Sequence, residues 1–165
     1  MPTYKTVAVL GGGSFGTALA QLAARQGQEV RLWMRNESSA GVINQDHHNP
    51  DYLSEFKLSD RILATTDLKE AVLGADWIIV ALPSHAVRPV LEEIKEFIPP
   101  IPMVLAAKGI ENESLMTLDE VVCDVLGPSW ESRTLALSGP SFAKEIMELC
   151  PTAVVLACVD EGVAE

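Results

Sequence analysis

No run of apolar residues in the 165-residue sequence approaches the ~18 needed to cross a membrane as a helix. The opening Met-Pro-Thr-Tyr-Lys lacks the basic-then-apolar layout of a secretory signal, so a cytoplasmic location is expected. Cysteine is scarce. Cys123, Cys150 and Cys158 are odd in number and widely spaced, and they form no Cys-x-x-Cys. That pattern indicates neither a disulfide framework nor a zinc site, and all three are expected to be reduced and mostly buried. Basic residues are few: 12 against 23 acidic ones, for a net charge of −11. A general nucleic-acid surface and an anionic-membrane surface are thereby disfavoured, and no partner of either kind is expected. An anionic small molecule, which feels local groups, is not excluded. Internal repeats, low-complexity segments and an interdomain linker are also missing, and the length fits one domain of ~100–200 residues.

What is present is alternation. Six short apolar runs occur at 6–10, 30–34, 77–82, 103–107, 135–137 and 152–158. They are mostly aliphatic on consecutive positions, the pattern of strands covered on both faces. Between them, apolar residues recur at helical spacing: Phe15, Ala18, Leu19, Leu22 and Ala23; then Val87, Val90, Leu91, Ile94, Phe97 and Ile98; then Leu115, Leu118, Val121, Val122 and Val125. Strand–helix alternation predicts βαβ units and an α/β fold. Residues 36–66 break the rhythm and are expected to hold a short helix followed by a loop around the polar stretch 44–50. That loop contains His47 and His48, an adjacent pair poorly suited to chelation, so no metal is expected.

The first strand runs into Gly11-Gly12-Gly13-Ser14-Phe15-Gly16, a G-x-G-x-x-G between a strand and a helix. Gly11 permits the tight turn, Gly13 lets a pyrophosphate approach the backbone, and Gly16 lets the helix pack on the strand. The N–H groups near Ser14 and Phe15 then face the anion at a helix start. These features predict a dinucleotide-binding domain: a Rossmann-like, doubly wound, mainly parallel sheet with helices on both faces. The second strand ends on Arg35, where a site reading NAD would usually carry an acid. A guanidinium pairs with a 2′-phosphate and stacks on adenine, which favours NADP over NAD.

Gly12-Gly13-Ser14-Phe15-Gly16 also fits G-x-S-x-G, the nucleophile elbow of α/β-hydrolases, with Ser14 as nucleophile and His85 as base. No stretch reads as the oxyanion loop such an enzyme needs. A nucleotide-binding or interaction module without catalysis is a further alternative.

Ligands in open parallel sheets sit outside the carboxyl ends of the strands. Ser84 is a good N-cap for the helix after the third apolar run, and His85 is expected as a first-turn surface histidine. Lys108 follows the fourth run and is expected to point a cation at the cleft. Gly139, Pro140 and Ser141 follow the fifth: Gly139 allows close approach, and Ser141 offers a hydroxyl near a helix start.

Five segments occur in order: 11–20 (Gly-Gly-Gly-Ser-Phe-Gly-Thr-Ala-Leu-Ala), 32–35 (Leu-Trp-Met-Arg), 82–85 (Leu-Pro-Ser-His), 107–111 (Ala-Lys-Gly-Ile-Glu) and 138–145 (Ser-Gly-Pro-Ser-Phe-Ala-Lys-Glu). Together they resemble the N-terminal half of bacterial NAD(P)-dependent glycerol-3-phosphate dehydrogenases. The resemblance implies hydride transfer between NAD(P)H and dihydroxyacetone phosphate, giving sn-glycerol 3-phosphate for phospholipid synthesis. It also implies that Ser14, Phe15 and Arg35 contact the cofactor. Lys108 would touch cofactor and substrate, Gly139 and Ser141 the substrate, and Ala143 the cofactor. The family's general acid–base is a lysine in a C-terminal helical domain, and none in this chain is assigned that role. The sequence stops inside what reads as the opening of a helix at 160–165. The expectation is therefore a cofactor domain, residues 1–165, incomplete at its C-terminal end and inactive alone. Its apolar edge would favour self-association, and a homo-oligomer is a possible state.

Overall fold

Alternate residues of the first strand feed two different cores, which is why its sequence is apolar throughout. In β1 (Thr6–Leu10), Val7 and Val9 join one buried cluster while Ala8 and Leu10 join the other. The structure is a computed structural model that describes residues 4–164. Residues 1–3 of the opening segment and Glu165 at the end of the expected final helix lie outside the described residues.

After β1 the chain runs through α1 (Ser14–Arg25), β2 (Glu29–Trp33), α2 (Glu37–Asp46), β3 (Ile62–Thr65), α3 (Leu68–Val72), β4 (Trp77–Val80) and α4 (Ser84–Ile94). It continues through β5 (Met103–Leu105), α5 (Leu118–Leu126), a 3-10 turn at Pro128–Arg133, β6 (Thr134–Ser138), α6 (Ala143–Met147), β7 (Val155–Ala157) and α7 (Glu161–Ala164). The seven strands lie in the order β3-β2-β1-β4-β5-β6-β7. All neighbours are parallel except β6 and β7, which are antiparallel. The cluster holding Val7 and Val9 is filled from α1, α2 and α6, and the cluster on the opposite face from α3, α4 and α5. This is the doubly wound arrangement expected from the sequence. Strand order reverses between β1 and β4, the place where such sheets open a crevice.

Caps set several helix starts. Asn36 Oδ1 accepts from the Ser39 N–H, and Asp67 Oδ1 accepts from Lys69 and Glu70. Thr117 and Glu120 form a reciprocal capping box at α5. At the other end of α1, Arg25 donates to the carbonyls of Ile146 and Met147, holding α6 against α1.

Several expectations need correction. Residues 36–66 hold more than a helix and a loop: β3 adds an edge strand beside β2. The sequence conceals it because it is only four residues long and alternates, with Leu63 exposed at 51%. The last apolar run yields only the three-residue β7, antiparallel and exposed at every position. Leu115 is not on α5; it sits before the helix at φ 59 and is exposed. The cysteines are free but not mostly buried: Cys150 is exposed and the other two are half-buried. Ser84 is not a cap but the first residue of α4, after Pro83.

Candidate functional site

Three peptide units meet where β1 and β4 diverge. Gly11 leaves β1 at φ 122, and a Cβ there would lie 2.5 Å from the Ala81 carbonyl oxygen. A Cβ on Gly16 would fall 1.8 Å from the Gly11 carbonyl oxygen, so the first turn of α1 rests directly on the turn that precedes it. Gly13 differs: a Cβ there would meet nothing within 4 Å. It is the N-cap of α1, and no side chain caps that end, unlike α2, α3 and α5. The first N–H groups of α1 thus face open space, with the positive end of the helix dipole behind them.

That space is a cleft of about 700 Å³. Its floor is Gly11 to Phe15 and the ends of β2 and β4; Arg35 and Asn36 stand at one rim, and Ala106, Ala107 and Lys108 at another. Ser141, Phe142 and Ala143 close a third side. The Lys108 ammonium lies 5.9 Å from the centre of the Phe15 ring, a cation–π contact that links the loop after β5 to the first turn of α1. Arg35 is exposed and makes no ion pair or side-chain hydrogen bond among the described residues. The cleft therefore offers two cations, Arg35 and Lys108, against one lining carboxylate, Asp51, in a chain of net charge −11. Local charge here opposes the global sign, as an anionic ligand requires.

Of the residues singled out in the sequence, Gly11, Gly13, Ser14, Phe15, Arg35, Lys108, Ser141 and Ala143 line this one cleft. Gly16 lies beneath it as a packing contact. Gly139 does not line it; at φ 143 its missing Cβ makes room for the chain's own Ala153 carbonyl and Val154. Its close approach is to backbone, where β6 meets its antiparallel neighbour. His85 is exposed and also lines the cleft, but no hydrogen bond joins it to Ser14 among the described residues. Ser14 is thus paired with no base among the described residues, and its place at the mouth of the glycine turn suits anion binding. Among the described residues no group of three or more His, Cys, Asp or Glu could hold a metal ion.

Residues 6–164 match the family described as NAD-dependent glycerol-3-phosphate dehydrogenase N-terminus. The chain belongs to that family. It is 44% identical over 160 residues to the glycerol-3-phosphate dehydrogenase [NAD(P)+] of Leptospira biflexa, covering 96% of this chain and 48% of the relative. It is 46% identical over 160 residues to the Rhodospirillum rubrum protein of the same name, covering 96% of this chain and 45% of the relative. A crystal structure of glycerol-3-phosphate dehydrogenase from Coxiella burnetii superposes with a TM-score of 0.89 at 33% identity, covering 99% of this chain and 49% of that one. The chain spans about half the length of the relatives it matches.

The structure also shows residues of the cleft wall that sequence reasoning missed. Asn49 is fully buried. Its Nδ2 donates to the Gly12 carbonyl at 3.0 Å and to Thr17 Oγ1 at 2.9 Å, while its Oδ1 accepts from the N–H groups of Asp51 and Tyr52. One amide therefore pins the loop after α2 to the glycine turn and brings Asp51 and Tyr52 to the cleft wall. In sequence it is one polar residue among several at 44–50, with no spacing to mark it. His47, two residues earlier, ends α2 in a left-handed conformation at φ 53 and so starts this loop.

Proposed function

We propose that this domain binds NADP(H) or NAD(H) and forms one wall of a site that interconverts dihydroxyacetone phosphate and sn-glycerol 3-phosphate. The uncapped start of α1, opening onto a cleft with two cations in an acidic chain, is the observation that carries the cofactor reading. The residues fit the group: Gly13 leaves room for a pyrophosphate, which the N–H groups of Ser14 and Phe15 at the uncapped start of α1 would bind. Arg35 lines the same cleft just after β2 and would pair with a 2′-phosphate. The bound nicotinamide supplies the hydride that reduces the ketone carbon. Lys108 and Ser141 line the cleft and would contact the substrate, and Gly139, at φ 143, shapes the turn before Ser141. Ala143, small and half-buried, leaves the cofactor space at the start of α6. The resemblance implies that a lysine in a C-terminal helical domain would supply the proton for the forming alkoxide, with residues 1–165 acting as the cofactor-binding N-terminal part. In the cell the protein is expected in the cytoplasm. Structurally, no helix among the described residues is long and apolar enough to cross a membrane.

Calorimetric titration with NADPH and NADH tests this reading. The expected result is tighter NADPH binding, weakened about ten- to a hundredfold by Arg35→Ala, the loss appropriate to a charged hydrogen bond. Equal binding of both would leave Arg35 as an adenine-stacking residue. Binding of neither by a cooperatively melting protein would overturn the cofactor reading.

A further inference from the structure

We propose that Arg88 is a positioning residue for Lys108, acting through a buried carboxylate on the same loop. The inference rests on the cofactor reading above. Lys108 leaves β5 on a segment with little anchorage of its own: Gly109 turns at φ 104, and Ile110 and Leu115 are exposed. The segment is closed by a backbone bridge between Ile110 and Thr117 and by the Glu111 N–H donating to the Met116 carbonyl at 2.9 Å. Inside that closure Glu111 is only 8% exposed. Arg88, on α4, donates Nε to both its oxygens, at 2.9 and 3.1 Å, and Nη2 to Oε2 at 3.0 Å. Ser114 Oγ donates to the same carboxylate, and Arg88 Nη1 reaches Asp124 on α5.

Arg88 thus ties three elements together, and two of them are walls of the cleft. On α4 it lies between Ala86 and Val90, both cleft-lining, and the loop it holds carries Lys108 three residues before Glu111. A bidentate guanidinium fixes orientation as well as distance, which a point charge does not. Without it, Glu111 would be a buried carboxylate with one hydroxyl partner. The loop would swing outward to hydrate it, taking the ammonium away from the Phe15 ring and the cleft.

The test is a double-mutant cycle on the whole protein as the cell makes it, read as the Kd for NADPH. Arg88→Met keeps the aliphatic stem and removes the fork. Arg88→Met and Lys108→Ala are each expected to weaken binding about tenfold, and the double variant no more than Lys108→Ala alone, since the two act as one unit. Arg88→Lys should recover part of the loss. Arg61→Met, which removes an exposed pair with Glu29 at the far edge of the sheet, should leave Kd unchanged. Should Arg88→Met fail to melt cooperatively, Glu111→Gln takes its place in the cycle. Losses that multiply in the double variant, or a single variant that binds as the wild type does, would overturn the positioning role alone. A wild type that binds no NADPH would overturn the cofactor reading and this inference with it.

Discussion

At the scale of single residues, the three glycines of the turn do different work despite their shared motif. Gly13 keeps space open for a ligand, whereas Gly11 and Gly16 let backbone touch backbone. Gly16→Ala should therefore act on stability before it acts on binding. Its methyl would overlap a carbonyl oxygen that has no flexible end to move aside, at a cost of about 3 kcal/mol or more. Thermal unfolding checks this: a fall in Tm is expected, with loss of NADPH affinity following it. Gly13→Ala, by contrast, should melt close to the wild type and still bind NADPH more weakly.

At the scale of elements, the join between β1 and β4 carries its own titratable pin. The Asp76 carboxylate, just before β4, accepts from the N–H groups of Lys5 (2.7 Å) and Thr6 (2.9 Å), where β1 begins. The bond from Thr6, and then that from Lys5, hold its pKa below the ordinary aspartate value, against an opposing effect of burial. A carboxyl with a lowered folded pKa stabilises fully above its unfolded pKa, and that stability is lost as pH falls through the lowered value. Asp76→Asn should cost about 1–2 kcal/mol at neutral pH and flatten the acid side of a stability–pH curve, as measured by urea unfolding. Elements also divide what the sequence revealed from what it hid. β1, β4 and β5 are legible because burial on both faces forces consecutive apolar residues, and β2 and β6 because each still carries a short apolar run, Leu32 to Met34 and Leu135 to Leu137. β3 is hidden because an edge strand has one wet face and so few residues that its alternation resembles loop. The cleft divides the same way. Glycine spacing and the residues after strand ends are visible in one dimension. Asn49 and Arg88 act through contacts 37 and 23 residues away, and no local pattern encodes those.

At the scale of the whole molecule, the two faces of the sheet are not equally finished. Near the β7 side, Phe15, Leu19, Leu22, Trp77, Leu137 and Leu156 border an apolar groove of about 650 Å³, and β7 itself is bare on both faces. Burial therefore declines across the sheet from its middle, where Val7 to Leu10 and Ile78 to Val80 are buried, to its antiparallel end. Amide hydrogen exchange should follow that gradient. Protection should be greatest at Val7 to Leu10 and Ile78 to Val80, and least at Val155 to Ala157, as resolved by mass spectrometry of peptides. The cleft opens between the two most protected strands. Its floor should thus stay closed to deuterium while the far edge exchanges, so the opening that frees β7 need not disturb the glycine turn.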